Sequence, residues 1–113
     1  MEIEVHNGMV VEVKRDEEAI VHSGGYAIVR SGAYAKVHDE GYAVVLDGGR
    51  AEVYEGGEVV VLLGGDAEVL DGGSSTVLFG GMVNVARGGR GLVLEGGEAK
   101  GDGDIQYLER TRR

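Results

Sequence analysis

An eight-residue period runs through this chain almost without interruption. From Gly24 the units read GGYAIVRS, GAYAKVHD, EGYAVVLD, GGRAEVYE, GGEVVVLL, GGDAEVLD, GGSSTVLF, GGMVNVAR and GGRGLVLE. A strict short period constrains architecture before any single residue does, because each unit must bury its apolar side against its neighbours in the same way. With the places lettered a to h from Gly24, place d holds mostly small residues such as Ala27, Ala35, Ala43, Ala51 and Ala67. Place f holds Val in every unit from Val13 to Val93. Places d and f are two apart, so an extended chain turns both the same way. A helix needs spacings of three and four, and two glycines per unit would weaken it further. Each octad is therefore predicted to be a strand of about five residues. The Gly-Gly opening provides the positive φ that turns the corner.

Strands repeating at this pitch stack into a solenoid, each pairing with its equivalent one coil later. Place e sets the coil length. From residue 28 it reads Ile28, Lys36, Val44, Glu52, Val60, Glu68, Thr76, Asn84, Leu92 and Lys100, an alternation with a period of sixteen. The histidines agree, since His6, His22 and His38 share place g at sixteen-residue intervals. The prediction is an all-β, two-sided β-solenoid (β-helix) with 16-residue coils built from two octads, about six coils in number. At about 4.8 Å per strand the stack is about 29 Å long. Residues 1–102 form the solenoid domain and 103–113 a C-terminal tail or cap. The alternation fails at the start, where Glu12 falls among the apolar places and Ile20 among the charged ones, so the first coil is expected to be phased differently or to act as a cap.

Composition narrows the function classes. The chain has 113 residues, no Cys and no Pro, and a net charge of −9. Without Cys there is neither a disulfide framework nor a thiolate metal site. The negative charge argues against nucleic-acid phosphates and anionic membranes as partners. The opening Met-Glu-Ile-Glu-Val-His lacks the basic and apolar regions of a signal peptide, and no apolar run suffices for a membrane span, so a cytoplasmic location is expected. No Ser-His-Asp spacing, phosphate loop or HExxH element is present, and the chain is not expected to be an enzyme.

The two flat sides differ. One carries Ile28, Val44, Val60, Thr76 and Leu92 at place e beside Leu46, Leu62, Leu78 and Leu94 at place g. These nine outward side chains form an aliphatic strip exposing on the order of 400–600 Å², the upper range for a monomer's largest patch. They are the candidate self-association face, suited to sheet-to-sheet packing of a homodimer or higher oligomer. The alternatives are cover by the tail through Ile105, Tyr107 and Leu108, or another protein partner. The other side carries Lys36, Glu52, Glu68 and Asn84. No catalytic, cofactor-binding or metal residues are assigned. The histidine column has a metal-binding or pH-sensing reading, but solvated surface histidines are the expectation. The stacked Asp39, Glu55 and Asp71 are read as a solvated acidic edge; the calcium-binding nonapeptide repeat differs in period and lacks its match here. Tyr26 and Tyr42 are read as a cross-strand stack. Each end of the solenoid leaves a strand edge open to stacking into filaments.

The AxVxxGGx octads resemble the octapeptide repeats of bacterial and phage proteins. Across about residues 8–100 the chain is also broadly similar to the bactofilins, polymer-forming scaffolds with Val-rich coils turned by glycine. That resemblance implies self-assembly and no active site, although bactofilin coils are usually three-sided. The function expected is a non-enzymatic structural solenoid that associates with itself. The alternative is an acidic binding module, a DNA mimic acting on a nucleic-acid enzyme, as in acidic pentapeptide-repeat solenoids.

Overall fold

Extended octads with glycine corners produce strands of four residues, places c to f, in all but the last two strands of a computed structural model that describes residues 2–107. The first seven strands are β1 (Glu2–Val5), β2 (Val10–Val13), β3 (Glu18–Val21), β4 (Tyr26–Val29), β5 (Tyr34–Val37), β6 (Tyr42–Val45) and β7 (Arg50–Val53). The second seven are β8 (Glu58–Val61), β9 (Asp66–Val69), β10 (Ser74–Val77), β11 (Met82–Val85), β12 (Arg90–Val93), β13 (Glu98–Lys100) and β14 (Asp104–Tyr107). The odd-numbered strands form one seven-stranded sheet and the even-numbered strands the other. Every pairing is parallel, and from β1 to β13 the partners are sixteen residues apart, as in Val37↔Val53 and Val45↔Val61. The two-sided, sixteen-residue coil is therefore the architecture, with seven strands per sheet where about six coils were expected.

The strand ladder extends beyond place f. The amide of place g donates to the place-f carbonyl one coil earlier, as in Leu46 to Val29 at 2.9 Å and Leu62 to Val45 at 2.9 Å. The corners form ladders of their own in the opposite sense. Gly48 N–H donates to Gly64 O at 2.9 Å and Gly64 N–H to Gly80 O at 3.0 Å. Each corner is closed by a place-b amide donating to the place-g carbonyl, for example Gly49 to Leu46 at 2.8 Å. Place a lies in the left-handed region, with φ of 80° at Gly64. A Cβ there would also stand 2.1 Å from Asp47 Oδ1. Glu40 occupies the same place with φ of 58° after Asp39 at 27°, a conformation costly for side chains with a Cβ.

The interior is two facing rows of small residues. Val5, Val21, Val37, Val53, Val69 and Val85 line one sheet and Val13, Val29, Val45, Val61 and Val77 the other, all fully buried. Ala or Val at place d fills the remaining depth. Ser75 is buried there too, and its hydroxyl is satisfied by donating to Arg90 O at 3.2 Å.

The first coil keeps the common register. Glu2–Val5 pairs in sequence with Glu18–Val21, and Val10–Val13 with Tyr26–Val29. The expected change of phase does not occur. Glu12 sits in the column of Ile28 and forms an ion pair with Arg30 on the adjoining coil. The other end departs from the period. Arg90 pairs with Asp104, an offset of 104 − 90 = 14. The expected tail thus begins as β14, the last strand of its sheet. Ile105 packs against the core, and Tyr107 crosses the open end to donate its hydroxyl to Ala99 O at 3.2 Å. Neither lies over the aliphatic strip; Leu108 and the rest of the tail fall outside the described residues.

Two substitutions test this account. Val53→Ala removes two methylenes' worth of buried surface and opens a void in a layer with little room to collapse, so it should lower unfolding free energy by about 2–3 kcal/mol in urea titration. Glu40→Gly relieves the left-handed strain and should raise stability by about 0.5–1 kcal/mol, the entropy of an added glycine taking back part of the gain.

Candidate functional site

The nine predicted strip residues come together on the outer face of the even-numbered sheet. Ile28, Val44, Val60, Thr76 and Leu92 are consecutive partners in register, bounded by Glu12 below and Gln106 above. Leu46, Leu62, Leu78 and Leu94 form the neighbouring column, each tied by its amide to the coil before. All nine are half-buried, because laddered neighbours cover part of each side chain. Tyr26 and Tyr42 widen the face at place c, with rings stacked at 5.1 Å between centroids.

The apolar surface also continues around the corner. Leu63 and Phe79 occupy place h, immediately after Leu62 and Leu78, and are 61% and 70% exposed. Such exposure for two large apolar side chains side by side is unusual on a monomer. Each leans on the place-a glycine of the next coil, Leu63 towards Gly80 and Phe79 towards Gly96. The signal is present in the sequence, in the units ending Leu-Leu and Leu-Phe. Place h is otherwise polar or charged in most coils, so these two residues are easily passed over as turn positions.

The opposite face is ionic. Lys36, Glu52, Glu68 and Asn84 are laddered in register at place e. Tyr54 donates to Glu52 Oε1 at 2.5 Å. That bond, followed by partial burial and the Glu52 and Glu68 charges, pushes the Tyr54 hydroxyl up to about 12. Burial first, then the same Glu52, raises Tyr34 as well. The histidine column splits in two. His6 and His22 stack at 4.6 Å with planes 6° apart, whereas His38 stacks on Tyr54 at 4.4 Å.

Among the described residues, the polar depressions are shallow surface grooves. One lies on the ionic face by Tyr34, Glu52 and Glu68, and one by Ser75, Arg90 and Gly91 on the apolar side. The second is bordered by the outward side chains of Glu58, Ser74, Thr76 and Leu92.

Comparison of the sequence with protein-family models and with curated proteins finds no match. Among solved structures the fold is similar to the TibC-catalyzed hyper-glycosylated TibA55-350 fragment, with a TM-score of 0.55 and 23% sequence identity. The similarity covers 87% of this chain but only 45% of that one. At this identity the likeness shows the β-solenoid fold alone.

Glu52 gives a direct test of the ionic face. A raised hydroxyl pKa means the fold favours protonated Tyr54. Its contribution is complete below the ordinary value near pH 10 and is lost as pH rises through about 12. Glu52→Gln should shift the ionisation of Tyr54 and Tyr34 towards the ordinary value, seen as earlier tyrosinate absorbance in an alkaline titration.

Proposed function

We propose that this protein is a non-enzymatic structural β-solenoid that assembles with itself through the aliphatic face of its even-numbered sheet. The observation that carries the reading is continuity: the place-e and place-g columns merge with Leu63 and Phe79 into one apolar surface that spans the central coils and wraps an edge. Flat sheets pack face to face about 10 Å apart, and a two-fold pairing of identical faces is the simplest closed arrangement. The burial of such a strip favours association in proportion to the apolar area removed from water. Arg30 and Lys14 below it and Gln106 above it give the strip polar ends, as at an interface rim.

The resemblance to polymer-forming scaffolds supports end-to-end stacking as a second mode of assembly. Among the described residues, β1 and β2 leave unpaired edges at one end and β13 and β14 at the other. Tyr107 stands over the second end, so strand addition there requires this ring to swing aside. The alternative reading is an acidic module that mimics DNA. It is supported by the net charge of −9 and by Asp39, Glu55 and Asp71, which recur at one corner along the stack.

The paired substitution Val60→Lys, Leu62→Lys places two charges at the centre of the face. Light scattering after size exclusion should show the wild type as a dimer or larger and this variant at monomer mass. Phe79→Ser, whose side chain lies outside the core, should weaken association without loss of strand content by circular dichroism. A monomeric wild type, or a variant of unchanged mass, removes the association reading. A salt-sensitive complex with a basic nucleic-acid enzyme would favour the acidic module instead.

A further inference from the structure

We propose that Glu4, His6 and His22 form a binding site for a divalent transition-metal ion of the zinc class, on the ionic face at the first two coils. The site follows from the coil length. Glu4 and His6 hold places e and g of the first coil, two apart and facing outward together. The sixteen-residue repeat then sets His22 directly on His6, with parallel rings 4.6 Å apart. Both Nε2 atoms are directed at one carboxylate oxygen, Glu4 Oε1, from 3.6 Å for His6 and 3.2 Å for His22. One donor atom from each of the three residues lies within 4.8 Å of the others.

The two His–Glu separations match a metal's requirement. Zinc binds imidazole nitrogen and carboxylate oxygen at about 2.0–2.1 Å, which separates tetrahedral ligands by about 3.3–3.4 Å. The two His–Glu distances bracket that value. The two parallel rings must tilt and close on each other for both Nε2 lone pairs to meet at one ion, a movement open to side chains that are all partly exposed. Two imidazoles and one carboxylate form a nitrogen-rich set that suits zinc, nickel or copper better than calcium or magnesium. Three protein ligands leave one position for water.

The surroundings favour a cation. Glu2 and Glu18 pair in register beside the site, and the outward places of β1 and β3 carry no Lys or Arg. Among the described residues, the nearest ammonium on this face is Lys36, one coil further on, where it engages Glu18 at 3.8 Å. The same geometry confines the site. His38 continues the sixteen-residue series, yet it stacks on Tyr54, and its place-e neighbour is Lys36 where the first coil has Glu4. A column of three histidines therefore contains one metal-binding pair.

Isothermal titration of tag-free protein with zinc chloride at neutral pH tests the proposal. The expected result is one Zn²⁺ per chain in the wild type. His22→Ala and Glu4→Gln should each weaken binding at least tenfold, and His38→Ala should change it less than twofold. Circular dichroism of the variants confirms that the fold is retained; the altered side chains all point away from the core. Failure of the wild type to bind stoichiometric zinc overturns the assignment. So does full affinity in the His22→Ala variant, or a loss in His38→Ala as large as in His22→Ala. None of these outcomes bears on association through the opposite face.

Discussion

The structure depends on in-register parallel stacking at a fixed offset of sixteen residues. Each strand has the same kind of neighbour above and below, so its hydrogen bonds and its interior contacts are satisfied by the same interval. The corners obey that interval too, with Gly48 bonded to Gly64 and Gly64 to Gly80. No coil buries its valine alone. The row becomes a core only because identical residues lie about 4.8 Å above and below, and stability is accordingly a sum over neighbours.

Periodicity also writes the surface. Any outward residue repeated at sixteen becomes a column, and columns give one sheet an apolar strip and the other a charged field. The fold made legible in the sequence was the part governed by repetition: the strand at each octad, the inward Ala and Val, and the coil length read from Ile28, Lys36, Val44 and Glu52. The nine strip residues were legible for the same reason, since places e and g are tied to known faces once the coil length is set.

What escaped sequence reading lies where repetition gives way to particular neighbours. Glu12 looked like a lapse in phase, but its register is intact and Arg30 explains it. Leu63 and Phe79 break a largely polar corner column, and only their exposure shows that the apolar surface turns the edge. The three histidines looked equivalent, yet Glu4 and Tyr54 give them different companions. A repeat specifies the backbone and the direction of each side chain; the chemistry arises from the non-repeating residues placed side by side on it.

The shortened last coil, in which β13 and the link to β14 each lose one residue, shows how such a chain can change length. Side chains on a strand alternate with a period of two. Dropping a pair of residues therefore leaves Ile105 on the side of Gly91 and Tyr107 on that of Val93. Excising a single residue would have inverted the strand and presented Gln106 to the valines. Insertions and deletions in this architecture are thus subject to a parity rule: even changes trim a coil, and odd ones turn it inside out.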